Sequence, residues 1–391
     1  MSKELDEFNK SLENDSEIEK AIELDRRKKA VFEKELDLKE KRVDVAFSNL
    51  LKGEEEIKKS KNINFGKMSE EAINKLVSDN EDYLEAAKHP IPFICNEFDS
   101  IVPFFRKNLV LITAASGQGK STAVANIVYA AMKKKNPLTG KPYRICVLTN
   151  EEAPEDFYNR LSCFIKGWQY SNHDKFSDDQ RAEFSKFIRV FTKNGNVTVI
   201  GDQFEGVDGH TTTCEGISRI FSNLIRDKEE YDVVILDYYQ NVTKSREQPE
   251  LNEYQVQRLL SNEFDRIKNV YGGVIVVMAQ IDPLRDEDDT TPYNIRLKGT
   301  KLIITKSTFI CEIVPEYALL RSTWVVHKSR FTASNGKRII TGFDRGRYVP
   351  YSTEFQKNVA KMVEQNLVRQ KEQELGLAPS KEEEDSGKTD D

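Results

Sequence analysis

A short apolar run that leads directly into a glycine-rich loop constrains the fold of this chain more than any other feature. NLVLIT (108–113) precedes AASGQGKST (114–122), and the apolar residues after the loop recur at helical spacing. Glycine lacks a Cβ atom, so Gly117 and Gly119 allow the loop amides to curl around phosphate oxygens. The sequence therefore predicts a strand, a phosphate-binding loop and a helix, which is a building unit of an α/β fold.

The residues of this loop suit a nucleotide site. A lysine at position 120 brings a positive charge to the β and γ phosphates of ATP, and the next hydroxyl is suited to Mg²⁺. The predicted nucleotide-binding residues here are Ser116, Gly117, Gln118, Gly119, Lys120, Ser121 and Thr122. Ala114 stands where a first glycine is usual. The alternative is a glycine-rich turn with a surface lysine, which the flanking strand and helix disfavour.

Residues 91–351 alternate short apolar runs with helical or loop segments. Runs that are apolar on both faces are typical of parallel strands covered by helices on both sides. The chain has 391 residues, of which 38% are hydrophobic, so it can fill a core of that size. We therefore predict one α/β domain over this range, with a mainly parallel sheet.

The segments on either side of this domain are charged and have helical patterns. Apolar residues recur at three- and four-residue steps within 1–62, and a second helix is expected over 69–89. We therefore predict a helical N-terminal and linker region over 1–90, with a solvated or partly disordered arm as the alternative. Residues 352–391 are predicted to form a helix and an acidic disordered tail.

Composition limits the classes of protein to which the chain can belong. Five scattered cysteines include no CxxC pair, and the four histidines are isolated, so neither a zinc site nor a disulfide framework is indicated. No signal peptide or membrane-length apolar run is evident, and we expect a cytoplasmic protein. A net charge of -6 neither predicts nor excludes a nucleic-acid partner.

Acidic and amide side chains follow three other apolar runs. DVVILDYYQ (232–240) delivers Asp237 to the carboxyl end of a buried strand, where it can order the ligands of Mg²⁺. RICVLTNEE (144–152) ends in Glu151 and Glu152, either of which can act as base for the attacking water. We expect that strand to neighbour the strand before the phosphate loop.

Two further segments complete the predicted ATP site. GVIVVMAQ (273–280) ends in Gln280, a polar residue that can sense the γ-phosphate or simply cap its strand. WVVHKSR (324–330) carries Lys328 and Arg330 two residues apart, on the same face of a strand. Such cations stabilise transition-state charge, usually on a neighbouring subunit's nucleotide, and two solvated cations on a hairpin are the alternative.

With these pieces in this order, the chain resembles the ATPase domain of the DnaB-type hexameric replicative helicases, including their short phage-type members. The resemblance covers about residues 91–351, and ILDYYQNV is its most discriminating match. The other matching segments, in chain order, are IPFICNEFDSIV, AASGQGKST, NEEAPEDFYNR, MAQIDP, RLKGT and HKSRFTASNG.

This resemblance implies a RecA-like P-loop NTPase core and a site shared between protomers of a ring. It places Glu151 on the catalytic glutamate, Gln280 on the sensor, and Lys328 and Arg330 on the cationic finger of the next protomer. It also implies that hydrolysis drives movement on single-stranded DNA and unwinding of forked DNA, with a primase or helicase loader as a possible partner. The candidate DNA-binding residues are Arg296, Lys298 and Lys301.

Two other functions are open at this point. A RecA-like recombination or strand-exchange ATPase would coat DNA as a filament rather than thread it. A regulatory ATPase that does not translocate is the other, because Thr305 and Thr308 stand where the family has glutamine and aspartate, and 286–289 are acidic.

Overall fold

The computed structural model describes residues 69–168, 175–194, 196–201, 211–227, 231–244, 250–283, 291–344 and 346–374. The helix predicted within 1–62, the acidic residues 286–289 and the predicted acidic tail lie outside these ranges. The compact unit that contains the sheet begins at Asp79, and the predicted domain boundaries at 90 and 351 remain predictions.

A nine-stranded sheet organises this unit, in the spatial order β3-β2-β4-β5-β1-β6-β7-β8-β9. Its strands are β1 (Leu109–Ala114), β2 (Ile145–Thr149), β3 (Val197–Ile200), β4 (Val233–Asp237), β5 (Val274–Gln280), β6 (Phe309–Glu316), β7 (Arg321–Ser329), β8 (Arg338–Asp344) and β9 (Arg347–Pro350). The ladders among β1 to β6 are parallel, whereas β6 to β9 form an antiparallel meander. The predicted α/β fold with a mainly parallel sheet is therefore confirmed.

Helices cover the sheet and flank it. The α-helices are α1 (Glu70–Lys88), α2 (Asn96–Ile101), α3 (Lys120–Met132), α4 (Pro154–Lys166), α5 (Asp178–Asn194), α6 (Cys214–Arg226), α7 (Glu253–Tyr271), α8 (Tyr293–Arg296), α9 (Leu302–Lys306) and α10 (Thr353–Glu374). The predicted helix over 69–89 is confirmed as α1. In α10, Ser352 is the N-terminal cap, because its Oγ accepts a hydrogen bond from the Phe355 amide at 3.1 Å.

Side chains of β1 alternate between two cores, one on each face of the sheet. Val110 and Ile112 belong to a core that includes apolar residues of α3, α4 and α5. Leu109 and Leu111 belong to a core that includes residues of α6 and α7. All six β1 residues are buried, which explains why its sequence is apolar at every position rather than at alternate ones.

Burial patterns also separate the two halves of the sheet. The parallel strands β2 and β4 are buried at every residue, whereas β7 alternates between buried and half-buried positions up to His327. That alternation is typical of an antiparallel strand with one face covered less completely. Strand β9 is too short and polar to have been predicted from the sequence, yet it ends the sheet beside α3.

Candidate nucleotide-binding site

The phosphate loop joins the end of β1 at Ala114 to the start of α3 at Lys120. Gly117 and Gly119 have φ values of 71° and 88°, which side chains other than glycine adopt only with strain. The loop therefore depends on both glycines for its shape. Its amides precede the positive end of the α3 dipole, so the loop and the helix together favour an anion.

Lys120 and Asp237 lie together at the carboxyl ends of β1 and β4. Lys120 is only 8% exposed and Asp237 only 1% exposed. Burial lowers the pKa of Lys120, while the negative charges of Glu151 and Asp237 oppose that shift. Burial raises the pKa of Asp237 to about 6, against a hydrogen bond from the Ser121 side chain. Two opposite charges are thus held in a site with little solvent.

The buried carboxylate has the features of a metal-binding group. Within the described part of the chain, Asp237 Oδ1 has no hydrogen-bond partner although it is buried. An unpaired buried carboxylate oxygen is costly, and a divalent cation is a ligand that compensates this cost. Ser121 and Asp237 therefore fit the predicted Mg²⁺ site. No cluster of three or more His, Cys, Asp or Glu residues occurs among the described residues, so nucleotide oxygens and water would supply the remaining ligands.

The two candidate bases differ in their surroundings. Glu152 forms an ion pair with Arg160 of α4. Glu151 is exposed, and its charge acts on Lys120, Asp237 and Tyr238. A residue already held by an arginine is poorly placed to accept a proton from water. The geometry therefore favours Glu151 over Glu152.

The expectation that the Glu151 strand neighbours the phosphate-loop strand is wrong. Strand β2 pairs with β3 and β4, whereas β1 pairs with β5 and β6. Asn150 instead brings Glu151 to the site, because its Oδ1 accepts the Tyr238 amide at 2.8 Å and its amide donates to Asp237 O at 3.0 Å. Sequence reasoning missed Asn150, although it directly precedes Glu151 in a segment that carried the family resemblance.

Gln280 ends β5 in register with Ala114, the last residue of β1, so it lies beside the start of the phosphate loop. Its backbone forms two hydrogen bonds with the side chain of Gln240, which follows Asp237 by three residues. The predicted sensor thus lies at the carboxyl edge of the sheet with Lys120 and Asp237, and Gln240 is a second residue that sequence reasoning missed.

Residues from the far end of the chain form a wall beside the phosphate loop. The Tyr317 hydroxyl donates to Gly117 O at 3.0 Å, and a Cβ atom on Gly119 would lie 3.3 Å from Tyr348 Oη. Asn126 of α3 holds this wall in place, because its Oδ1 accepts the Tyr348 amide at 2.8 Å. A cavity opens between the wall and the loop, and Arg321 also lines it.

Lys328 and Arg330 lie at the opposite edge of the sheet. Lys328 pairs with Ile310 of β6, which is level with Leu111 near the start of β1. Lys328 Nζ donates to Ile304 O at 2.6 Å, and Arg330 Nη2 donates to Thr305 O at 2.7 Å, so both cations cap the carboxyl end of α9. Burial lowers the pKa of Lys328 to about 8, helped by Arg330. The chain does not bring these cations to its own phosphate loop.

The three candidate DNA-binding cations have different environments. Arg296 is 6% exposed, and its guanidinium forms two hydrogen bonds with the Glu312 carboxylate at 2.8 and 2.7 Å. This buried pair removes Arg296 from the candidate DNA surface, which corrects that assignment. Lys298 is exposed with Nζ 3.4 Å from Asp282, and the exposed Lys301 donates to Ile295 O and Leu297 O at 2.9 Å.

Comparisons with known proteins agree with this geometry. Residues 99–281 match the AAA domain family. One solved structure, of an ATPase domain by itself, is 14% identical, with 72% of this chain and 99% of that chain covered and a TM-score of 0.55. A DnaB-like replicative helicase, solved in work on its interactions with primase, is 15% identical, covering 71% of this chain and 70% of that chain with a TM-score of 0.53. No curated protein sequence matches.

At these identities the solved structures establish the fold, and the matched family covers the strands that carry the phosphate loop, Asp237 and Gln280. The described residues include no helix long and apolar enough to cross a membrane. The resemblance found in the sequence is thus confirmed at the level of the domain: the chain contains an AAA-type ATPase domain with the RecA-like fold of DnaB-like helicase ATPase domains.

Proposed function

We propose that this protein is an ATP-dependent replicative DNA helicase, which moves on single-stranded DNA and unwinds forked duplex. One observation carries the proposal. The carboxyl edge of the sheet gathers Lys120, Asp237 and Glu151, whereas Arg330 lies at the amino edge. A strand rises about 3.3 Å per residue, so the six residues of β1 separate the two edges by roughly 20 Å. A second copy of the chain would complete the site.

Each residue at the carboxyl edge has a distinct part in hydrolysis. The loop amides and Lys120 bind the phosphates, and Ser121 and Asp237 hold Mg²⁺, which neutralises charge on the phosphate oxygens. Glu151 accepts a proton from the attacking water, and Gln280 donates a hydrogen bond to the γ-phosphate. Lys328 and Arg330 of an adjacent protomer stabilise the charge that develops in the transition state.

The proposed assembly is a hexameric ring of the short phage type, with single-stranded DNA in its pore. Lys298 and Lys301 are the remaining candidates for phosphate contacts, since Arg296 is buried in its pair with Glu312. The solved DnaB-like helicase was studied with primase, and we include a primase or a helicase loader among the proposed partners of this chain.

The function is tested by measuring ATP turnover with and without single-stranded DNA, and unwinding of a labelled fork. We expect DNA to stimulate turnover and the fork to open only with hydrolysable nucleotide. A Lys120→Ala protein is the matched control for contaminating activity. Electron microscopy of the same sample should show closed rings. Open filaments would instead support a recombination ATPase, and turnover indifferent to DNA would contradict the proposal.

A further inference from the structure

The side chain of Gln240 joins two segments that belong to different parts of the site. Its Oε1 accepts the Gln280 amide at 2.8 Å, and its Nε2 donates to Gln280 O at 3.0 Å. The same Nε2 donates to Lys298 O at 3.0 Å. One amide group thus holds the backbone of the candidate sensor and the backbone of the basic segment 296–301. All of its described donor and acceptor contacts are to main-chain atoms, so they depend on where the chain runs rather than on neighbouring side chains.

A second glutamine holds the next residues of the basic segment. Gln257 of α7 is 4% exposed, and its Oε1 accepts the Thr300 amide at 2.9 Å. Any Cβ atom on Gly299 would lie 1.8 Å from this oxygen, so the segment approaches Gln257 as closely as glycine allows. The Tyr239 hydroxyl donates to Gln257 O at 2.7 Å.

Both connections begin in the residues that directly follow Asp237. Tyr239 reaches the basic segment through Gln257, and Gln240 reaches it directly while also holding Gln280. The family's glutamine and aspartate are replaced by Thr305 and Thr308, and these threonines bond elsewhere. Thr305 Oγ1 donates to Leu302 O, and Thr308 Oγ1 contacts Asn108 and Leu109 within the core. The structure thus offers a different physical route between the nucleotide site and the basic segment.

We infer that Gln240 is the positioning residue that couples the state of the nucleotide site to the basic segment 296–301. This inference deepens the proposed function and rests on it for the identity of the DNA ligand. When Gln280 shifts against the γ-phosphate, Gln240 moves with its backbone and carries Lys298 O with it. Because the amide both donates and accepts, it transmits displacement in either direction, and DNA on the segment would in turn act on Gln280.

The experiment replaces Gln240 with methionine, which has a similar length and lacks the amide. The readout is the ratio of ATP turnover with single-stranded DNA to turnover without it. We expect Gln240→Met to lower this ratio by roughly 5- to 30-fold, the size of coupling that single residues carry. Gln240→Glu retains an acceptor for the Gln280 amide but has no donor for Lys298 O, so it should also lose stimulation. Gln356→Met, at an exposed site on α10, is the matched control.

Hydrogen exchange measured by mass spectrometry separates this inference from the proposed function. In the wild type, a non-hydrolysable ATP analogue should change exchange in peptides that contain Gln280 and Lys298, without DNA. Gln240→Met should lose the change at Lys298, with its melting temperature recorded to detect a general loss of stability. Unaltered stimulation in Gln240→Met overturns the inference alone. If the wild type is not stimulated by DNA, the proposed function fails, and an equal exchange response in both proteins then overturns the inference as well.

Discussion

The two edges of the parallel sheet hold opposite kinds of site. At the carboxyl edge, Lys120 and Asp237 are almost fully buried and face each other across a glycine loop that is shaped for an anion. At the amino edge, Lys328 and Arg330 have only backbone carbonyls of α9 as described hydrogen-bond acceptors. The first edge is a binding site in a single chain. The second is a pair of cations whose proposed substrate lies in another copy.

This difference shows how one chain can regulate its own turnover by assembly. A buried carboxylate with an unpaired oxygen is prepared for a cation, and a loop amide cradle is prepared for phosphate. Neither supplies the extra positive charge that speeds phosphoryl transfer. If that charge comes from the opposite edge of a neighbour, hydrolysis depends on the oligomer. The predictions below test that dependence, from the largest effect to the smallest.

Removing the charge at the carboxyl edge should have the largest effect. Lys120→Ala is expected to lower turnover by about 10³-fold or more and to weaken nucleotide binding, because the only cation buried beside Asp237 is lost among the described residues. Turnover and equilibrium binding of a fluorescent ATP analogue measure both effects. Lys134→Ala, just beyond the end of α3, is the matched control, and near-normal turnover in Lys120→Ala would contradict the assignment.

Removing the charge at the amino edge should separate binding from turnover. Arg330→Ala is expected to bind ATP within roughly threefold of the wild type but to turn over about 10²- to 10³-fold more slowly. The decisive measurement mixes inactive Lys120→Ala and Arg330→Ala proteins. If neighbours share the site, mixed oligomers contain complete sites and recover activity. Arg338→Ala, exposed on β8, is the control. Full activity of Arg330→Ala, or of wild-type monomers, would refute a shared site.

The pH profile should report both edges with smaller effects. Asp237, with its pKa raised to about 6, is protonated below that pH and then binds Mg²⁺ poorly, so turnover at sub-saturating Mg²⁺ should fall on the acid side. Lys328, with its pKa lowered to about 8, loses its charge above that pH, so turnover should also fall on the alkaline side. Lys328→Arg should remove the alkaline decline only, because arginine stays charged. An unchanged alkaline limb would exclude Lys328 as its source.

The same carboxylate links pH to folding. Its pKa in the folded chain lies above the ordinary value of 3.8, so the stabilising contribution is present below that value and is lost as pH rises through about 6. The nucleotide-free protein is therefore expected to be less stable at neutral pH than its burial alone would suggest, and Mg²⁺ with ATP restores that stability.

Local sequence carried much of the candidate site. The strand, loop and helix around Lys120 were predictable because the apolar run, the glycines and the helical spacing are contiguous. Asp237 and Gln280 were predictable as strand ends, because a polar residue after a buried run marks the edge of a sheet. Arg296 was misassigned for the same reason: its neighbours are basic and polar, and nothing close in sequence signals that Glu312 binds it.

What the sequence by itself determined is the set of local units: which runs are strands, where the phosphate loop bends, and which side chains stand at strand ends. Only the tertiary structure decided that β1 lies between β5 and β6, that the two cations lie at the far edge, and that Gln240 bonds Gln280 and Lys298. The physical reason is range. Propensity and glycine conformation act over a few residues, whereas strand order and side-chain partners depend on contacts between segments tens to hundreds of residues apart.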